Sequence, residues 1–208
     1  MRLSRSPNAD AMTGCALCRG AFTLLEVLVV VVIIGVLVGA LVPTVAAARD
    51  RAQKIACGEG LRGLGNSIHV YLTENDATLP RSAQMPSVNV GYEPLPITLT
   101  QQVPDKRAWK CRADSSGYIR VADGKILGSY FEGETSSFEY NFSLGGKRVE
   151  RWFLFNLLGE HGTFVLADFE HFHGKRGSTG SKNVLFADGH VGDVREITQT
   201  LGMPTGGF

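Results

Sequence analysis

Hydrophobic positions follow three regimes along this chain. Residues 27–48 are an apolar run without a single charge. That is roughly twenty residues, the length a helix needs to cross the hydrocarbon of a bilayer. Further on, Leu61, Leu64, Ile68 and Tyr71 recur at spacings of three and four, which predicts one apolar stripe on a helix continuing to about Thr73. Gly58, Gly60, Gly63 and Gly65 interrupt this stretch. Each disfavours helix by about 1 kcal/mol relative to Ala, so a loosened turn is expected near residues 58–60. Past Thr73 the pattern shortens to strand-length pieces between turn residues.

Pro86, Pro94, Pro96 and Pro104 punctuate residues 81–135, which read as loop with short β-prone pieces. Phe138-Glu139-Tyr140-Asn141-Phe142 alternates with period two, and Gly145-Gly146 offers a turn. Residues 163–167 read as a buried strand. Asn183-Val184-Leu185-Phe186-Ala187, Asp188-Gly189 and His190-Val191 read as a hairpin, with the turn pair that type I′ geometry prefers. The expected fold class is α+β: a long N-terminal helix packed, over its second half, against a small antiparallel sheet.

Glu26 stands at the mouth of the apolar run. A carboxylate at the centre of a membrane helix costs about 2.5–3.5 kcal/mol, and one at the edge still requires a partner. A secretory signal peptide would account for Arg2, Arg5 and Arg19 and would use Ala46-Ala47-Ala48 for cleavage. Its apolar core, however, is ordinarily about 7–15 residues, shorter than this run. A plain single-pass anchor fits the length and leaves Glu26 unexplained.

The segment Phe22-Thr23-Leu24-Leu25-Glu26, directly after Arg19-Gly20-Ala21, resembles the processing and assembly signal of type IV pilins and of the pseudopilins of type II secretion. The resemblance implies that a prepilin peptidase removes a leader on the cytoplasmic side and methylates the new amino terminus. Cleavage between Ala21 and Phe22 makes Glu26 the fifth mature residue and Pro43 the twenty-second, the family's usual register; the usual Gly before the cut, Gly20, is displaced by one. Glu26 would then pair with the amine of a neighbouring subunit's first residue, and Pro43 would kink or locally melt the helix. The implied organisation is a leader (1–21), a transmembrane and assembly helix (22–48), its periplasmic continuation (49–74) and a β-rich head (75–208). The implied location is the inner membrane, with the N-terminus cytoplasmic and the head periplasmic, and later an extracytoplasmic filament. Implied partners are the peptidase, other pilin or pseudopilin subunits and an inner-membrane assembly platform. The function expected is structural, and the alternative is a membrane-anchored periplasmic module that binds or senses a ligand.

Charge narrows the alternatives. Lys plus Arg number 21 against 20 Asp plus Glu, so no basic surface points to nucleic acid. Cys15-x-x-Cys18 falls within the leader. Cys57 and Cys111 lie beyond the membrane, in an oxidising compartment, where they form either a disulfide or two buried thiols.

The stretch Asn-Val-Leu-Phe-Ala-Asp-Gly-His-Val at 183–191 resembles the C-terminal signature of a prepilin subclass, in which a His precedes Asp-Gly by nine residues. Here His173 stands further from Asp188, and Asp168 resembles the acidic residue that precedes that His. His171 and His173, two apart on a strand, would face one side and with Asp188 are the candidates for zinc; Asp188 and Asp193 are those for calcium. Neither metal has its motif here, so no cofactor is expected. Without a nucleophile elbow, a phosphate-cradling glycine motif or paired carboxylates, neither is catalysis.

Overall fold

A computed structural model describes residues 23–89, 91–115, 120–122, 125–149, 153–176 and 178–200. The chain forms two compact units, Met1–Val45 and Ala46–Phe208. Helix α1 (Leu24–Glu74, 51 residues) starts in the first and ends in the second.

In the first unit every described side chain is exposed. The helix contains an 18-residue window of mean hydropathy 3.1, none of it buried. Among the described residues nothing covers these side chains, and the helix is long and apolar enough to cross a membrane. Pro43 lies inside α1, and the helix stays wound through it rather than melting there. The ring removes a single N–H from a long ladder. Close by, the Thr44 hydroxyl donates to the Leu41 carbonyl at 2.7 Å.

In the second unit, Cys57, Leu61, Leu64 and Ile68 of α1 are buried, and Tyr71 packs at the edge of the same cluster. Residues 58–60 remain helical instead of loosening. Burial of the stripe outweighs the weak propensity of the glycines. Gly65 has a packing role, because a Cβ there would sit 3.0 Å from Leu185 Cδ1. The helix can lie this close to the sheet only where a side chain is missing.

The sheet has four antiparallel strands in the order β3 (Phe138–Tyr140), β4 (Phe164–Asp168), β5 (Asn183–Phe186) and β6 (Val191–Asp193). Strand β5 is buried throughout, and its alternate side chains serve two clusters. Leu185 joins the α1 core, while Val184 and Phe186 pack with Val194 and Ile197 of helix α5 (Val194–Thr200). In β4 the register slips between Phe164 and Leu166, and adjacent Val165 and Leu166 both enter the α1 core.

The segment read as loop contains more structure than the sequence suggested. It holds helix α2 (Leu95–Thr98), a 3-10 turn at Lys106–Trp109, the hairpin β1 (Arg120–Ala122) and β2 (Lys125–Leu127), and helix α3 (Tyr130–Glu134). Two ties hold it to the core. The first is a disulfide between Cys57 and Cys111, with Cα atoms 5.4 Å apart. The second is buried Asp114, which accepts from Tyr130 N at 3.0 Å, Phe131 N at 2.9 Å and the Ser137 hydroxyl at 2.6 Å. Asp114→Ala strands two donors at the start of α3 and a third, the Ser137 hydroxyl, just before β3. A hydrogen bond to a charged group contributes about 1.5–3 kcal/mol, so a loss of about 3 kcal/mol in head stability is expected by denaturant titration.

Candidate functional site

Among the described residues, two places concentrate candidate chemistry. The first is the entrance to α1. Thr23 precedes the first helical residue, and its side-chain oxygen accepts from Glu26 N at 3.2 Å. In return Glu26 Oε2 accepts from Thr23 N at 2.9 Å and from the Thr23 hydroxyl at 3.0 Å. This is a capping box, which satisfies donors that a helix start otherwise leaves bare. The sequence signal is Thr-x-x-Glu, which the charge of Glu26 within an apolar run masks. In the isolated chain the carboxylate is therefore engaged locally. Gly20, Ala21 and Phe22 lie outside the described residues.

The second place is the turn joining β5 to β6. Three residues, Ala187, Asp188 and Gly189, separate Phe186 from His190. Gly189 N donates to Phe186 O and Phe186 N to His190 O, each at 3.0 Å. Gly189 takes φ 87°, whereas Asp188 is not left-handed. The type I′ reading is thus corrected: a longer loop places the left-handed residue after the turn, where glycine adopts it without strain.

This loop presents the Asp188 carboxylate to two imidazoles. Asp188 Oδ1 lies 2.6 Å from His190 Nδ1, and Asp188 Oδ2 pairs with His161 Nδ1. His190 is fixed on two further sides. Its ring stacks on Phe186 at 4.3 Å and 3°, and its Nε2 lies 3.1 Å from Glu196 Oε2. Glu196 is itself held, because its other oxygen accepts from Asp193 N at 3.0 Å while Asp193 Oδ1 accepts from Arg195 N at 3.0 Å. That reciprocal pattern is a second capping box, at the start of α5. Burial works against the charged imidazole of His190, but its bonds to Asp188 and Glu196 outweigh it and raise its pKa. Burial likewise opposes the Asp188 carboxylate, and His190 and His161 more than offset it, lowering its pKa.

His161 arrives from helix α4 (Phe153–Gly162), which is interrupted at Gly159 with φ 68° and ψ 179°. Essentially only glycine occupies that region. Thr163 holds the bend by donating its hydroxyl to Gly159 O at 2.9 Å. Gly159→Ala is expected to lower stability by about 1–3 kcal/mol in thermal melts and to displace His161, read as a changed imidazole NMR signal.

The histidines proposed from sequence go elsewhere. His171 and His173 lie in loop and turn rather than on a strand. His171 Nδ1 meets the Ser181 hydroxyl at 2.8 Å, and burial, followed by Lys182, lowers its pKa. The buried His173 side chain lies against the disulfide, its Nε2 3.5 Å from Cys111 Sγ and 3.4 Å from Asp168 Oδ2. Asp168 Oδ2 also accepts from Asn183 N at 2.7 Å, so this pair joins β4 to β5. His171, His173 and Asp188 are therefore not one ligand set. Among the described residues the convergent groups are Cys57, Cys111 and His173, and His161, Asp188 and His190. The sequence gathers His161, Asp188 and His190 with the other C-terminal histidines and carboxylates but does not single them out, because His161 is remote in the chain and reaches Asp188 only through the Gly159 bend. Asp193, the other calcium candidate, is engaged by the backbone of Gly180 and Arg195.

A family model for the prokaryotic N-terminal methylation motif matches residues 18–42. The chain carries that motif. It is typical of type IV pilins and pseudopilins, and the apolar helix followed by a four-stranded antiparallel sheet is a pilin-like arrangement. The match covers the processing region and the start of α1 and leaves the head unmatched. No curated protein and no solved structure matches the chain.

Proposed function

We propose that this chain is the precursor of a structural subunit, major or minor, of a type IV pilus-like or type II secretion filament. The observation that carries the reading is the methylation motif at residues 18–42, coincident with an exposed apolar helix start whose one carboxylate is Glu26. Prepilin peptidase cuts between Ala21 and Phe22 and methylates Phe22. The mature helix then rests in the inner membrane with the head in the periplasm. An assembly platform withdraws it into a fibre of packed helices, where Gly35 and Gly39 permit close approach. Apolar surface passes from lipid to protein packing rather than to water, so extraction avoids most of the transfer penalty. Filaments sheared from the native host and separated from membranes by sedimentation provide the test. Recovery of the chain in the fibre fraction supports the reading, whereas confinement to the membrane fraction contradicts it.

One observation favours the alternative, an anchored binding module. A cavity of about 380 Å³ opens in the head, lined by Ile68, Leu72, Leu79, Val165 and Leu185, with Glu160 and Asp188 among its polar groups. That size and lining suit a small amphipathic ligand. A tethered binder needs the helix only as an anchor, so its function would survive replacement of Glu26.

A further inference from the structure

We propose that His161, Asp188 and His190 form a binding site for a divalent first-row transition metal such as zinc. The site lies in the head and does not depend on the assembly role of α1.

The donor set is the first argument. Two imidazole nitrogens and a carboxylate oxygen, all within 4.8 Å of one another, are ligands that zinc accepts at about 2.0–2.2 Å. Both imidazoles turn the same nitrogen, Nδ1, toward one carboxylate. A metal bound between them needs donor separations of about 3.3 Å for tetrahedral angles at those bond lengths. The three groups therefore open outward slightly. The His161 side chain, 88% exposed, is unconfined and can make that adjustment.

The setting of His190 is the second argument. Glu196 lies 3.1 Å from Nε2 and keeps a proton on that nitrogen, so Nδ1, the atom facing Asp188, is the one that gives up its proton to a metal. A carboxylate behind a ligating histidine is the usual outer support of a metal site, orienting the ring and making the ligand more basic. Here that carboxylate is locked by the α5 capping box, and the ring is held flat against Phe186. The support is already in place without metal. Binding displaces the proton held between His190 Nδ1 and Asp188, leaving Nδ1 as a neutral donor. With three protein donors, a fourth position is left for water or an external ligand.

The competing cluster differs in chemistry. Cys57 and Cys111 are joined to each other, and in that state neither is a thiolate ligand. Cobalt(II), as a zinc surrogate, distinguishes the two sites by its absorption spectrum. The histidine–carboxylate site gives visible ligand-field bands without the near-ultraviolet thiolate-to-cobalt band.

The test is titration of the leader-free chain, residues 22–208, which lacks Cys15 and Cys18, in detergent and without reductant, with Zn²⁺ by calorimetry and with Co²⁺ by absorption. Wild type should bind one Zn²⁺ per chain. His161→Ala, at an exposed side chain, and Asp188→Asn should each weaken binding by more than about tenfold, and Glu196→Gln by about 10–100-fold. Circular dichroism confirms that each variant is folded, and only folded variants are compared. Absence of one-to-one binding, unchanged affinity in His161→Ala, or a thiolate band with cobalt would overturn the proposal.

Discussion

Glu26→Ala is expected to abolish entry of the chain into filaments while leaving the head folded and the precursor in the membrane. The carboxylate is the one charge within an exposed apolar surface that, among the described residues, nothing covers. When subunits pack side by side, that surface is sealed from water. Glu26 is then worth its place only if it meets a cation, such as the amine of a neighbour's Phe22. Removing one partner of a sealed ion pair costs about 3–5 kcal/mol, because the other charge is left without compensation. At about 1.4 kcal/mol per tenfold, incorporation should fall by at least about 100-fold. The capping box complicates the alanine variant, since alanine also removes the acceptor for Thr23. Glu26→Gln separates the two roles, because glutamine serves in a capping box but carries no charge. Competition in one cell between tagged wild type and each variant, read in the sheared filaments, should exclude both. Normal incorporation of Glu26→Gln would reduce Glu26 to a helix cap.

The second large effect is expected from the disulfide. Cys57 and Cys111 are separated by 54 residues, and closing a loop of that length removes about 4 kcal/mol of unfolded-state entropy in the chain-entropy model. Both ends are buried in the principal core, beside Leu61 and Trp109. The double variant Cys57→Ala, Cys111→Ala should therefore lose about 2–5 kcal/mol in denaturant unfolding of the detergent-solubilised protein. Its segment 81–115 should become the first site of proteolysis, since the bond ties that segment to α1. Reduction of wild type should reproduce the loss, whereas a midpoint insensitive to reductant would mean that core packing alone holds the segment.

The sequence was most informative where one periodicity dominated. Leu61, Leu64 and Ile68 marked the buried face of α1 despite four glycines, because burial decided the helix. The strands at 138–140, 164–168 and 183–186 were legible from alternation or from unbroken apolar character. Residues 81–135 were not, for their order depends on distant groups. Asp114 organises α3 and Ser137 through a carboxylate whose partners lie 16 to 23 residues away, and Cys111 is fixed by Cys57. The histidine sites failed for a related reason. Local spacing paired His171 with His173, but the loop turns one toward Ser181 and the other into the core. His161 reaches Asp188 through a backbone bend that a single glycine permits. The hairpin turn was placed correctly and misassigned in type, since Asp-Gly suits both a two-residue and a three-residue loop.

Processing is the step on which the whole account turns, and the mature N-terminus of the membrane-bound protein measures it directly. Intact-mass and peptide mass spectrometry of protein from the native host should find a chain that begins at N-methylated Phe22. A chain that still begins at Met1, or one that starts near Arg49, would contradict the proposed function. The first outcome would leave an anchored module and the second an exported protein without its helix.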